Sequence, residues 1–231
     1  MTLRAVFFDA GETLVHPHPT FPDLFATILR REGHDVDAET VRERIHVVFD
    51  RFRAAAESNE LWTTSAERSR RFWHEVYTIF LTDLGIEDPA LVETVYGEFT
   101  DLENYALFDD VPAVLARLGD AGLALGIVSN FEAWLDALLE RLGVRSTFGV
   151  VVISGMEGLE KPDPRIFELA LERAGVAAGE AAYVGDNPEF DVEPALALGM
   201  TPVLIDRRDR YPEADGTRIT SMDQLPAVLG L

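Results

Sequence analysis

The sequence predicts an α/β protein with a doubly wound parallel sheet, into which a helical segment is inserted after the first strand. Short apolar runs alternate with segments of helical period in the second half of the chain, an order typical of parallel sheets. The first apolar run is separated from the next by more than a hundred residues with a helical pattern. A chain of 231 residues is long enough for one α/β unit with an additional domain.

Five apolar runs are the candidate strands of the sheet. They are AVFF (5–8), LALGIVS (123–129), VVVIS (150–154), AAYVG (181–185) and TPVLI (201–205). Apolar residues at three-to-four spacing predict helices between them. These helices are VPAVLARLGDAG (111–122), FEAWLDALLERLG (131–143), PRIFELALERAG (164–175) and PEFDVEPALALG (188–199), each ending in the glycine that is common at helix C-termini.

The long gap after the first strand predicts a separate helical domain. Four stretches in it place apolar residues at helical spacing: FPDLFATILRREG, AETVRERIHVVFDRFRAAAES, SAERSRRFWHEVYTIFLTDLG and PALVETVYGEFTDL. We therefore expect residues 15–105 to form the insertion, and residues 1–14 and 106–231 to form the sheet-containing core. Trp62, between two of these helices, has two interpretations, a contact with a ligand or buried packing.

The composition restricts the chemistry and the partners. The chain has no cysteine, which excludes disulfides, thiolate nucleophiles and cysteine-ligated zinc. The apolar run near the N-terminus is too short for a signal-peptide core, and no stretch approaches the roughly 18 apolar residues of a membrane span. We therefore expect a cytoplasmic protein. A net charge of −21 repels nucleic acid and anionic membranes, so neither is an expected partner.

Polar residues follow four of the predicted strands, where open α/β sheets bind their ligands. Taken singly, each has an ordinary structural explanation, such as a turn residue or a helix N-cap. Their shared position at strand ends makes them the candidate site. These residues are Asp9, Ser129, Asn130, Lys161, Asp186 and Asp191.

Four sequence motifs carry a resemblance to a known family. In chain order they are VFFDAGETL (6–14), IVSN (127–130), EKPDPRIF (160–167) and YVGDNPEFD (183–191). Along its whole length the sequence resembles the haloacid dehalogenase superfamily of phosphohydrolases. The resemblance implies a Rossmann-like core with an α-helical cap, formed here by the insertion, and a small phosphorylated metabolite as substrate.

The resemblance also implies a role for each residue of the site. Asp9 is the expected nucleophile, which forms an aspartyl phosphate that water then hydrolyses. Ser129, Asn130 and Lys161 would bind the phosphoryl group. The expected cofactor is Mg²⁺, held by Asp9, the backbone carbonyl of Gly11 and Asp186, with Asp191 as a further ligand or as support for the ligands.

Lys161 is the only lysine in a chain that has nineteen arginines. Three converging carboxylates repel one another strongly, so a dication and one ammonium would neutralise them. Oxygen ligands without cysteine or histidine suit Mg²⁺. An ammonium is a compact point charge, whereas a guanidinium is larger and prefers a two-pronged geometry, which explains a requirement for lysine at this position.

Gly11 is the main departure from the family pattern. Phosphatases of the family usually have an aspartate two residues after the nucleophile, which protonates the leaving group and activates water. Glycine provides a carbonyl but no proton, and general acid–base catalysis is worth about 10² to 10⁴ in rate. We therefore expect a preference for good leaving groups such as acyl or aryl phosphates. Glu12, His16, His18 or a residue of the cap could replace the missing acid.

Two alternative functions follow from the same residues. A catalytically weak protein could keep the pocket to bind phosphate or a partner, although a retained nucleophile at Asp9 favours an enzyme. A 2-haloacid dehalogenase would need no metal, and Asp186 and Asp191 argue against that reaction. The lack of lysine in the cap excludes the Schiff-base chemistry of the phosphonoacetaldehyde hydrolases.

Overall fold

The computed structural model describes residues 2–58 and 60–231. The strands found in these residues are β1 (Ala5–Phe8), β2 (Val15–Pro17), β3 (Tyr105–Leu107), β4 (Ala124–Ser129), β5 (Val150–Ile153), β6 (Ala181–Gly185), β7 (Thr201–Ile205) and β8 (Arg218–Ile219). The α-helices are α1 (Phe21–Arg31), α2 (Ala38–Arg44), α3 (His46–Glu57), α4 (Ala66–Asp83), α5 (Pro89–Thr100), α6 (Val111–Asp120), α7 (Leu135–Arg141), α8 (Ser154–Glu157), α9 (Pro164–Ala174), α10 (Glu193–Ala197) and α11 (Leu225–Val228).

The main sheet of the described chain has six parallel strands in the order β5-β4-β1-β6-β7-β8. It is flanked by helices, so the predicted α/β fold with a doubly wound parallel sheet is confirmed. All four residues of β1 are buried, as expected for a central strand that is covered on both faces. Ala5 is in register with Ala124 of β4 and Ala181 of β6, which brings the ends of these three strands to one edge.

Three short strands were not predicted from the sequence. β2 and β3 form a separate two-stranded sheet, and β8 adds a sixth strand to the main sheet. Each has only two or three residues, so hydrophobic periodicity cannot identify it.

Two helices begin differently from the prediction. The helix expected at residue 131 begins at Leu135, because the backbone of Phe131 bonds to the Ser154 hydroxyl and to the amide of Gly155 instead. The helix expected at residue 188 begins with a π-helix, Pro188–Val192, and continues as α10. Such π segments are frequent at functional sites, and this one carries Asp191.

Two compact units are distinguishable in the chain. One contains the main sheet and comprises the residues up to Val15 together with Leu107–Leu231, and the other is His16–Ala106. The second unit contains α1–α5 packed around an aromatic core. Trp62 is buried in that core and stacks on Phe72 with ring centroids 4.6 Å apart, so packing accounts for it. None of the helices described in either unit combines the length and the hydropathy needed to cross a membrane.

Candidate active site

The candidate site lies at the carboxyl ends of β1, β4 and β6. Asp9 directly follows β1, and the ammonium of Lys161 is 2.7 Å from Asp9 Oδ1 and 2.6 Å from Asp191 Oδ1. All three side chains are buried. The structure therefore brings together residues that are up to 182 positions apart in the sequence, as the shared edge of a parallel sheet requires.

The backbone at Lys161 is held by Asn130, at the end of β4. Lys161 N donates to Asn130 Oδ1 at 2.7 Å, and Asn130 Nδ2 donates to Lys161 O at 2.8 Å. This pair of bonds links the loop after α8 to the sheet. The side chain of Asn130 thus positions the lysine. The sequence had suggested that Asn130 binds phosphate directly, and for the backbone of Asn130 this stays a prediction.

Asp191 is orientated by contacts with both of its carboxylate oxygens. Oδ1 accepts from Lys161, and Oδ2 accepts from the backbone N–H of Asn187 at 3.0 Å. The carboxylate packs over Gly185, where an added Cβ would lie only 2.3 Å from Asp191 Cγ. A side chain at residue 185 is therefore incompatible with this position of Asp191.

Asp186 is paired with Arg210, in the loop between β7 and β8. Arg210 Nη2 donates to Asp186 Oδ2 at 2.7 Å. The loop itself is fixed by Asp206, a buried carboxylate that accepts from the backbone N–H groups of Arg210 and Tyr211, each at 2.8 Å. The sequence analysis missed Arg210, since nothing in the pattern RRDR distinguishes it from its neighbours.

Two further residues lie near the nucleophile Asp9: Gly11 follows it by two residues in the sequence, and Ser129 is close to it in space. The Ser129 hydroxyl is fully buried and has no well-formed hydrogen bond to any described residue, although it is close enough to Asp9 to favour the ionised carboxylate. A Cβ on Gly11 would have the ring of Phe131 as its nearest neighbour, at 3.8 Å. A side chain at residue 11 would thus face an aromatic ring.

Two of the three candidates for the missing acid, Glu12 and His16, have other contacts. Glu12 forms an ion pair of 2.8 Å with Arg208, which directs its carboxylate toward the loop between β7 and β8. His16 and His18 belong to the second unit, where His16 Nδ1 lies 2.7 Å from the carbonyl of Pro17. A carbonyl can only accept a hydrogen bond, so Nδ1 is the donor in this contact. A role for either histidine in proton transfer stays a prediction.

Burial and charge compete in setting the ionisation of the site. Burial raises the pKa of Asp9, although the neighbouring Lys161 acts in the opposite direction. Burial alone would lower the pKa of Lys161, but the attraction of Asp191 and Asp9 outweighs it and raises that pKa. Burial also raises the pKa of Asp186 to about 7 against the influence of Arg210. Burial thus disfavours the ionised forms of Asp9 and Asp186, so a cation beside them would stabilise these carboxylates.

The carboxylates fit a divalent cation. Asp9, Asp186 and Asp191 each offer an oxygen, and these oxygens lie within 4.8 Å of one another. A cluster made only of oxygen donors matches the preference of Mg²⁺ and Ca²⁺. The charges agree with a cation site, since three ionised carboxylates beside one lysine and one arginine would leave one net negative charge for a cation to offset.

Comparison with known proteins gives a consistent result. A family model described as haloacid dehalogenase-like hydrolase matches residues 3–199. The phosphoserine phosphatase of Thermus thermophilus is 38% identical over 233 residues, covering 92% of this chain and 93% of that protein. Haloacid dehalogenase-like hydrolase domain-containing protein 3 of Homo sapiens is 29% identical over 210 residues, covering 89% and 82%. The magnesium-bound HAD-hydrolase YfnB of Bacillus subtilis shares the fold, with a TM-score of 0.80, 18% identity and full coverage of both chains.

Proposed function

Since the chain belongs to the haloacid dehalogenase-like hydrolases, we propose that it is a Mg²⁺-dependent phosphohydrolase that acts on small phosphorylated metabolites. The observation that carries this proposal is the buried arrangement of Asp9, Lys161 and Asp191 at the carboxyl edge of the sheet. A nucleophilic carboxylate held by an ammonium suits phosphoryl transfer, whereas phosphate binding alone requires no nucleophile.

In the proposed reaction, Asp9 attacks phosphorus through a carboxylate oxygen, and the bond from phosphorus to the leaving-group oxygen breaks. Water then attacks the resulting aspartyl phosphate, which releases inorganic phosphate and restores Asp9. Lys161 fixes Asp9 Oδ1 and offsets charge in the transition state, and the Ser129 hydroxyl donates to a phosphoryl oxygen. Mg²⁺, held by Asp9, the Gly11 carbonyl, Asp186 and Asp191, would supply positive charge for binding the phosphoryl group.

Gly11 supports a preference for good leaving groups. Without a side-chain acid, an alkoxide with a pKa near about 15 departs slowly, whereas a phenolate or carboxylate needs little protonation. Phe131, whose ring would be the nearest neighbour of a Cβ at this position, cannot transfer a proton. We therefore propose acyl and aryl phosphates as the better substrates.

We also propose that residues 15–105 form the cap domain and that residues 1–14 and 106–231 form the core domain. The helical second unit corresponds to this segment in composition and in chain position. Small phosphorylated substrates are the proposed partners. Phosphoserine is one candidate because a 38% identical relative is named a phosphoserine phosphatase, and as an alkyl ester it should react more slowly than acyl and aryl phosphates.

The experiment that tests the proposal is a screen of phosphorylated metabolites with and without Mg²⁺. Turnover that requires the cation and is lost in Asp9→Asn supports it. Binding of phosphate without turnover would favour the alternative, a catalytically weak binding protein, for which the absence of an acid at Gly11 is the supporting observation. Metal-independent release of halide from 2-haloacids would instead identify a dehalogenase.

A further inference from the structure

The ammonium of Lys161 has a third partner besides the two carboxylates. Its Nζ lies 3.1 Å from the hydroxyl oxygen of Tyr183, on β6. Asp9, Asp191 and Tyr183 together provide three acceptors, the number that a lysine ammonium can use with its three N–H donors. Both Lys161 and Tyr183 are almost completely buried, so water does not compete for these bonds.

The hydroxyl of Tyr183 is itself fixed. Its single hydrogen is donated to the backbone carbonyl of Val128 at 2.7 Å, a shorter distance than the 3.2 Å to Asp191 Oδ1. The ring reaches from β6 to β4, across the strand that carries Asp9, because β1 lies between these two strands. The hydroxyl thus gives its hydrogen to β4 and offers only lone pairs to Lys161.

We propose that Tyr183 is a positioning residue for Lys161: its hydroxyl, anchored to β4, determines where the ammonium lies between Asp9 and Asp191. The inference rests on the proposed function, since a fixed ammonium matters for phosphoryl transfer. A lysine side chain has four rotatable methylene groups, and two carboxylates alone leave the ammonium free to swing about the axis that joins their oxygens. A neutral third acceptor at the end of a rigid ring removes this freedom.

The consequence for catalysis is the orientation of the nucleophile. Lys161 holds Asp9 Oδ1, so a displaced ammonium releases that oxygen and disturbs the in-line approach of Asp9 to phosphorus. Misplacement of a reacting group by about 1 Å can cost on the order of 10²-fold in rate. The hydroxyl of Tyr183 contacts the lysine and two other protein groups. Because these contacts position the lysine, the hydroxyl should affect the chemical step more than substrate affinity.

Tyr183→Phe tests the proposal, because it removes the hydroxyl and keeps the ring. With p-nitrophenyl phosphate and Mg²⁺, kcat should fall by about tenfold, the usual effect of one hydrogen bond to a charged group, while KM stays near the wild-type value. Phe167→Leu is the matched control. The ring of Phe167 packs edge-on against Tyr183 at 5.0 Å between centroids, so this change loosens the packing of the ring and retains the hydroxyl.

A second measurement does not depend on turnover. Lys161 is the only lysine, so selective ¹⁵N labelling of lysine gives one side-chain ammonium signal. In the wild type its hydrogens should exchange slowly with water. In Tyr183→Phe the signal should shift and exchange about tenfold faster, as expected for the loss of one hydrogen bond to the charged group, and in Phe167→Leu it should stay near the wild-type position.

The combined outcomes separate this inference from the proposed function. A shifted, faster-exchanging signal in Tyr183→Phe with a lower kcat and an unchanged KM supports the positioning role. An unchanged signal overturns it, whether kcat is retained or falls together with the melting temperature as in Phe167→Leu. If the wild type hydrolyses no phosphate ester, the proposed function fails, and the ammonium signal still decides the contact between Tyr183 and Lys161.

Discussion

Gly185→Ala should displace the Asp191 carboxylate and thereby disrupt the candidate active site. The added Cβ would lie 2.3 Å from Asp191 Cγ and 2.4 Å from Asp191 Oδ2, whereas ordinary contacts begin near 3.4 Å. The carboxylate must therefore move by about 1 Å or more, because the backbone of the central strand β6 is held on both sides by β1 and β7. That movement breaks or lengthens the contacts of Asp191 with Lys161 and Asn187.

The loss of stability in Gly185→Ala follows from the buried charges that the substitution separates. Removing one partner from a buried ion pair costs about 3 to 5 kcal/mol of the free energy of unfolding. For a chain of this size, each kcal/mol corresponds to a change of about 2 to 4 °C in melting temperature. We expect the melting temperature of Gly185→Ala to fall by about 6 °C or more, and turnover to fall by on the order of 10²-fold since Lys161 loses its position.

Gly119→Ala is the matched control for this substitution. Gly119 lies in α6 of the same unit, and a Cβ there has no atom within 4 Å. Alanine is favoured over glycine inside a helix by about 1 kcal/mol, so this variant should be as stable as the wild type or more stable, with unchanged turnover. Thermal unfolding and steady-state rates measure both variants. Wild-type stability and turnover in Gly185→Ala would refute the reasoning.

Four further predictions address the nucleophile, the cation, the lysine and the missing acid. Asp9→Asn should abolish phosphatase activity and leave the circular dichroism spectrum unchanged; residual turnover would remove Asp9 as the nucleophile. Millimolar Mg²⁺ should raise the melting temperature, less so in Asp186→Asn. Because the pKa of Asp186 is raised to about 7, Mg²⁺ should raise the melting temperature more at pH 8 than at pH 5. Without metal, Asp186 should make the protein less stable as the pH increases from about 4 to 7, because only the native state retains the proton in that range. Lys161→Arg should lose activity and about 1 to 3 kcal/mol of stability, since the larger guanidinium has no space among three buried acceptors; near-native turnover would make the lone lysine incidental. Gly11→Asp should flatten the dependence of rate on leaving-group pKa, with gains of up to about 10² to 10⁴ for alkyl esters. Equal chemical-step rates on alkyl and aryl phosphates in the wild type, with no detectable phosphoenzyme, would contradict the account of the missing acid.

The sequence predicted the parts of the fold that depend on hydrophobic pattern. The five apolar runs became β1, β4, β5, β6 and β7, because buried parallel strands need continuous apolar segments. The same pattern placed Asp9, Lys161 and Asp191 at one edge, since residues that follow parallel strands converge there. The distances among these three residues agree with that expectation.

Contacts that depend on the direction of a side chain could not be predicted from the sequence. Arg210 reaches Asp186 only because Asp206 folds the loop between β7 and β8, and a pattern of charges in a loop does not reveal such a bond. The partner of Asn130 is the backbone of a residue 31 positions away. Tyr183 did carry a signal, as the one hydroxyl-bearing residue in the apolar run AAYVG, and a buried hydroxyl usually has a hydrogen-bond partner.

The central position of β1 also affects how the protein is made. Its two neighbours are β4 and β6, so β1 gains its second neighbour only when residue 185 has been synthesised. At about 5 to 20 residues per second, the delay is roughly 10 to 35 seconds. Until then AVFF, whose four apolar residues are all buried in the folded protein, lacks at least one of its partner strands. Among the described strands, the one that directly precedes the nucleophile therefore waits longest for its last neighbour.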